Sequence, residues 1–395
     1  MEFNFDQVIE RVGTRCVKWD SPRQLYGRED LIPLSVADMD FVAPPEVTRA
    51  LLKRIQHPVY GYSLAPTEAI AALVDWIWKR HQWKVEAEWV QLLGGVVDGL
   101  ALAVMAFTNP GDKVIVQSPV YRPFYQAITT NGCHVVTNPL KLEAGRYVMD
   151  LEDLEKKIDG RTKLLFLCNP HNPGGRVWTK RELEALAQLC AKHGVIIVSD
   201  DIHSDFVYTG HSYTPIASLS EEISQFTVTC MAPSKTFNLA GLSTAAVIIE
   251  NPKLRQTFAN RMEAVGAPTN LFGIVAMEAA YRHGEPWLEA LLKYLQENRD
   301  FVAAYIEEYI PGIKVMQPEG TYLSWLECSQ LSLAPDKLHR YFVEEAGVVL
   351  NDGQYFGPGG DNYLRLNFAC PRPILQEALE RMAAAAKKVD NQQGD

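Results

Sequence analysis

No apolar run in this 395-residue sequence comes near the roughly 18 residues that a membrane-spanning helix requires, which excludes a transmembrane anchor of that kind. Positive charge is also in deficit. The chain has 38 Lys and Arg against 48 Asp and Glu, a formal net charge of −10, and such a balance excludes a broad phosphate-binding surface for nucleic acid. The seven cysteines (Cys16, Cys133, Cys168, Cys190, Cys230, Cys328 and Cys370) are odd in number, scattered, and contain no Cys-x-x-Cys pair. That excludes a disulfide frame and a zinc site, and suits reduced, buried thiols in a cytoplasm. Met1–Arg15 lacks a basic-then-apolar segment, so no secretory leader is expected. Internal repeats and low-complexity tracts are missing too.

What is present reads as a soluble, globular chain, 47% hydrophobic and 22% charged. Its length exceeds one simple core and predicts a large domain with a smaller one beside it. From Pro45 to about Gly284, helical and strand patterns alternate. Val96–Phe107 reads as a helix, Lys113–Val116 as a strand, Tyr121–Asn131 as a helix and His134–Thr137 as a strand. Thr179–His193 is an amphipathic helix, opened by a Thr179/Glu182 capping box and stopped by Gly194. Such alternation predicts parallel strands joined by crossover helices. After Glu285-Pro286 the texture changes: a long helix over Trp287–Tyr309 precedes Thr321–Glu327, Pro335–Ala346, Tyr363–Phe368 and Pro373–Lys388. The expected division is an N-terminal segment, 1–44, joining a small α+β domain at 286–395, with a large domain at 45–285.

Three buried-looking strands end on residues with chemistry. Phe226–Met231 runs into Ala232-Pro233-Ser234-Lys235-Thr236-Phe237-Asn238. Lys163–Cys168 ends in Asn169-Pro170-His171-Asn172-Pro173-Gly174-Gly175, where prolines and glycines fix a turn. Val195–Ser199 ends in Asp200-Asp201-Ile202-His203. Taken singly, Lys235 is a solvated loop lysine, Asn172 a turn residue, Asp200 a helix cap and His203 a half-buried ring. Emerging together from strand ends, where open α/β folds keep their ligands, they point to one shared site. Gly94-Gly95-Val96-Val97, leading into a helix, adds backbone N–H groups suited to an anion.

These motifs, with Tyr363-Leu364-Arg365-Leu366-Asn367-Phe368-Ala369, resemble the fold-type I pyridoxal-phosphate enzymes of the class I/II aminotransferase superfamily. Val36-Ala37-Asp38-Met39-Asp40-Phe41, Tyr60-Gly61-Tyr62, Asp200-Asp201-Ile202-His203 and the ending at Arg372 are similar to its cystathionine β-lyase branch, often called MalY/PatB. The resemblance covers nearly the whole chain. It implies an α/β fold with a mostly parallel, mixed sheet covered by helices, and pyridoxal 5′-phosphate as cofactor.

It also implies roles. Lys235 would hold the cofactor covalently and, once released, remove the substrate Cα proton; an ordinary lysine, with a pKa of about 10.4, needs desolvation or a nearby cation to do so. Asp200 would keep the ring nitrogen protonated, and Asn172 would bond the phenolate oxygen. His203 stands where many aminotransferases have tyrosine, and Tyr121 would stack on the ring. The phosphate would rest on Gly95, Val96, Val97, Ser234 and a tyrosine from the partner subunit, Tyr62 or else Tyr60. The family's usual serine three residues before the lysine is here Ala232, and Gly241-Leu242-Ser243 stands where some relatives carry a phosphate-binding arginine. Arg365 would clamp the substrate α-carboxylate, with Ala37 a backbone neighbour. The branch implies β-elimination from L-cystathionine or another L-cysteine S-conjugate, in a cytoplasmic homodimer. An aminotransferase for aromatic or neutral amino acids, or for histidinol phosphate, and a cofactor-binding regulator stay open as alternatives.

Overall fold

The computed structural model describes residues 3–64, 66–266 and 269–391. Seven strands form the main sheet: β1 (Val90–Leu93), β2 (Lys113–Val116), β3 (His134–Thr137), β4 (Thr162–Cys168), β5 (Ile196–Asp200), β6 (Thr227–Met231) and β7 (Ala245–Ile248). Their spatial order is β1-β7-β6-β5-β4-β2-β3. Only β7 is antiparallel to its neighbours, so six strands run one way. Both faces are covered, which is why β6 is buried throughout and reads as a continuous apolar run rather than an alternating one. Cys168 pairs with Asp200, and Asp200 with Cys230, so three central strands deliver their carboxyl ends at one level.

The covering helices follow the patterns read above. Val96–Phe107 forms as expected, burying Val96, Leu100, Ala103 and Val104. Thr179 caps Lys180–His193 through the full reciprocal box, and Gly194 ends that helix at φ 66°, a left-handed conformation that glycine adopts at little cost. Two expectations need correction. The helix expected from Tyr121 begins at Pro123, whose fixed φ and missing N–H suit a first helical position. Lys235 lies not in an open loop but in a one-turn helix, Pro233–Thr236, likewise begun by a proline.

Beyond the 25-residue helix Glu285–Tyr309, four antiparallel strands form a second sheet: β8 (Lys314–Met316), β9 (Leu323–Glu327), β10 (Asn351–Asp352) and β11 (Tyr363–Asn367), in the order β8-β9-β11-β10. The stretch Pro335–Ala346 is α-helical to Tyr341 and continues as a π turn to Ala346. Among the described residues no helix is long and apolar enough to cross a membrane.

An early segment crosses between the two sheets. Ile32–Pro33 pairs in parallel with Val348–Val349. The following strap is then pinned from both sides. The Asn238 side chain donates to Met39 O (2.9 Å) and Phe41 O (2.8 Å), while Asn367 donates to Val36 O and Asp38 O, both at 2.7 Å. Asp40, a buried carboxylate of the strap itself, accepts from Lys18 Nζ (2.6 Å), Arg11 Nη1 (2.5 Å) and Trp19 Nε1 (2.8 Å). A fully buried ammonium such as that of Lys18 is tolerated only with such pairing.

Candidate active site

At the carboxyl ends of the main sheet lies a cavity of about 240 Å³. Ala37, Gly95, Val96, Val97, Tyr121, Asn172, Asp200, His203, Ser234 and Lys235 all line it. Ten of the twelve residues selected from the sequence thus meet in one place. A wider groove of about 920 Å³ between the helices Pro45–Ile55 and Leu271–His283 is open and gathers none of them.

Lys235 Nζ donates to Ala37 O at 2.5 Å, and Tyr322 Oη donates to the same carbonyl at 2.9 Å. Burial lowers the lysine pKa to about 8; the Asp38 carboxylate opposes this and the Arg365 charge adds to it. The amine is therefore partly neutral near pH 8 without any other device. Its turn is held from behind. Thr236 Oγ1 donates to the buried Asp205 carboxylate (2.8 Å), which also receives Trp76 Nε1 (3.2 Å) from the helix Thr67–His81.

Asp200 ends β5 buried, and among the described residues its carboxylate accepts only from the Ile202 N–H, at 3.2 Å. Burial pushes its pKa up to about 7, partly offset by the nearby Lys235 charge. Asp201 differs, accepting from Ser199 Oγ at 2.5 Å and from the Tyr213 hydroxyl. His203 is buried with Nδ1 unpartnered. Desolvation, with the charges of Lys235 and Arg365, holds its pKa well below the usual imidazole value, so the ring is neutral.

Arg365 does not itself line the cavity but stands behind its wall residue Asn172. It is 4% exposed, donates to Asn172 Oδ1 (2.8 Å), Ser35 O (2.9 Å) and Asn351 Oδ1 (2.5 Å), and leaves Nε unpartnered. Burial lowers its pKa to about 10, which leaves it charged at neutral pH. Among the described residues it pairs with no carboxylate, an unusual state for a buried guanidinium. Tyr62 is not brought to the cavity of its own chain; its side chain is fully exposed. Tyr60 is engaged locally, its ring 5.7 Å from that of Phe272.

Several wall residues escaped the sequence reading. Ser243 and Thr244 line the cavity where an arginine was noted as missing, and Asp98 lines it from the first turn of Val96–Phe107. Their signal was the Gly-Leu-Ser run after the lysine motif, valued only for what it lacked. Tyr322 and Asp205 gave no local signal, because each reaches the site through the fold.

The donor set fits pyridoxal phosphate. A primary amine, a buried carboxylate with a single hydrogen bond, an unpartnered imidazole nitrogen and the N–H groups at the start of a three-turn helix converge on one cavity. The raised pKa of Asp200 gives a test free of turnover. Protonated in the folded state up to about pH 7 but ionised above about 4 when unfolded, it opposes folding progressively across that window. In cofactor-free protein, Asp200→Asn should raise the melting temperature at pH 8, from relief of up to about 4 kcal/mol. The gain should fade as pH drops from 7 to 4. A variant equally stabilised at pH 4, or destabilised at pH 8, would refute the assignment.

The class I and II aminotransferase family matches residues 29–382, and the chain belongs to it. The particular branch follows from individual relatives. Cystathionine β-lyase PatB of Bacillus subtilis is 44% identical over 384 residues, covering 97% of this chain and 99% of that protein. The crystal structure of cystalysin from Treponema denticola, which contains pyridoxal 5′-phosphate, aligns with a TM-score of 0.96 at 35% identity, covering 98% of this chain and all of the other. A pyridoxal-phosphate-bound C–S lyase from Staphylococcus hominis aligns with a TM-score of 0.90 at 31% identity, covering 98% of both chains. Superfamily and cystathionine β-lyase branch are thus as the sequence motifs implied.

Proposed function

We propose that this protein is a pyridoxal-phosphate-dependent carbon–sulfur lyase. It would cleave the Cβ–S bond of L-cystathionine or another L-cysteine S-conjugate to a thiol, pyruvate and ammonia. One observation carries the substrate class: Arg365, buried, charged and without an anionic partner among the described residues, donates to Asn172, which lines the same cavity as the Lys235 amine. An amino acid supplies the missing carboxylate, and the guanidinium fork receives it with two parallel hydrogen bonds.

Lys235 would hold the cofactor, Asp200 would pair with its ring nitrogen, and Asn172, whose Oδ1 is taken by Arg365, would offer Nδ2 to its phenolate oxygen. Tyr121 would lie against the ring. Gly95, Val96, Val97 and Ser234, with Ser243 and Thr244, would receive the phosphate. When bound, the cofactor supplies the electron sink that makes the substrate Cα–H acidic. Lys235 Nζ then takes the Cα proton, its depressed pKa matching that task. Arg365 orients the amino acid so that Cα faces Nζ, and neutral His203 adds no competing charge. The strap at Ala37 covers the reacting atoms from water.

The proposal extends to a cytoplasmic homodimer with shared sites, and to a division of the chain at about residues 44 and 285. The seven unpaired cysteines support the setting. Support for the dimer comes from the exposed apolar run Val59, Tyr60, Tyr62 and Leu64, with Leu52 and Ile55 near it. Tyr62 is then free to serve the neighbouring phosphate. Mixing inactive Lys235→Ala with weakened Tyr62→Phe subunits should restore activity, since each hybrid dimer regains one intact site. A fully active monomer in sedimentation would overturn this.

The reaction itself is tested by incubating purified protein with L-cystathionine and following pyruvate and thiol, with 2-oxoglutarate in a parallel sample. Pyruvate release without consumption of the 2-oxo acid is expected. Fast amino transfer with negligible pyruvate would instead identify an aminotransferase.

A further inference from the structure

A second charged group stands beside the amino-acid grip. Arg122 follows the cavity-lining Tyr121, so their Cα atoms lie about 3.8 Å apart. Opposite it runs the segment Asn351–Phe356, and the two stretches are stitched together: Phe356 O accepts from Val120 N (2.9 Å) and Tyr125 Oη (3.1 Å). Both ends of that segment reach Arg365, which donates to Asn351 Oδ1 and stacks 5.0 Å from the Phe356 ring. One residue outward, the Arg122 guanidinium lies 5.0 Å from the ring of Tyr355, itself 53% exposed. A guanidinium resting on an aromatic face is positioned while its N–H edge stays open. Arg122 forms no ion pair among the described residues, and among them no arginine lines the cavity itself, so Arg365 and Arg122 both act from just outside its wall.

Resting on the lyase reading above, we infer that Arg122 and Tyr355 form a distal subsite that takes a carboxylate at the far end of the sulfur substituent. Substrates whose leaving thiol carries a carboxylate, as in L-cystathionine, gain a charge-assisted hydrogen bond there. Short neutral substituents such as S-methyl do not reach it. Arg365 then selects any amino acid, and Arg122 selects among thiols.

The test compares wild-type holoenzyme with Arg122→Gln and Tyr355→Leu on L-cystathionine and on S-methyl-L-cysteine. Arg122→Gln should lower kcat/KM for L-cystathionine about tenfold, mainly through KM, since this contact is made before and during reaction alike. The value for S-methyl-L-cysteine should stay within about twofold, and Tyr355→Leu should act in the same direction with a smaller effect. Raised salt should erode the wild-type preference for L-cystathionine. Equal losses on both substrates would reduce Arg122 to a structural residue, and no loss on either would remove it from recognition; both outcomes overturn the inference. A binding arm separates it from the lyase reading. In Lys235→Ala protein supplied with pyridoxal phosphate, calorimetry should show Arg122→Gln weakening L-cystathionine but not S-methyl-L-cysteine. That pattern without pyruvate from the wild type would sink the lyase and keep the subsite; pyruvate release without Arg122 dependence would do the reverse.

Discussion

Lys235→Ala protein is expected to release no pyruvate above background, a loss on the order of 10⁴-fold or more. Among the described residues no other lysine lines the cavity, so no neighbouring amine there can take over. Borohydride should trap cofactor on the wild-type peptide that carries Lys235 and leave the variant unlabelled. Because the desolvated amine titrates at about 8, free Lys235 in cofactor-free protein should react with amine reagents well below the pH at which exposed lysines do. Labelling that persists at another lysine would rule out this assignment.

Arg365→Ala should cost about 3–5 kcal/mol of transition-state binding, the range for stranding one member of a buried charged pair. That corresponds to roughly 10²–10⁴ in kcat/KM. The loss should be similar for every amino-acid substrate, whatever its sulfur substituent, because the α-carboxylate is common to all. Asn172 and Asn351 would each lose a donor, so a modest fall in melting temperature should accompany it. Arg365→Lys should recover charge but not the two-pronged geometry, and so little of the activity. Steady-state kinetics on two substrates of different length decide the matter; a loss confined to one of them would move Arg365 from the common grip to a selective role.

Much of this site is legible in the sequence because its parts sit at strand ends. Lys235, Asn172 and Asp200 each follow an apolar run, and a parallel sheet brings such ends to one edge without further information. The capping box at Thr179 and the helix starting after Gly95 are equally local, and both form as read. What stays hidden depends on contacts between distant residues. Tyr322 reaches the Ala37 carbonyl across 285 positions, and Asp205 touches Thr236 only because the strands they follow, β5 and β6, are adjacent. Ser243 and Thr244 were overlooked for a different reason. A hydroxyl beside a missing arginine carries no periodicity and no charge to mark it. The start of the helix at Pro123 rather than Tyr121 is a boundary error, since apolar spacing does not show where the first turn closes.

The strap at Ser35–Phe41 also orders events in time. It is synthesised early, yet two of its anchors, Asn238 and Asn367, emerge from the ribosome about 200 and 330 residues later. Until then the backbone that will face Lys235 is held only by its near neighbours Arg11, Lys18 and Trp19. The pocket is thus finished by one of the first segments made and among the last to settle, through contacts of very long sequence separation that form slowly. A chain ending before Asn367 lacks the side chain that holds the Val36 and Asp38 carbonyls, so the strap over Lys235 cannot be fully pinned until nearly the whole chain is made.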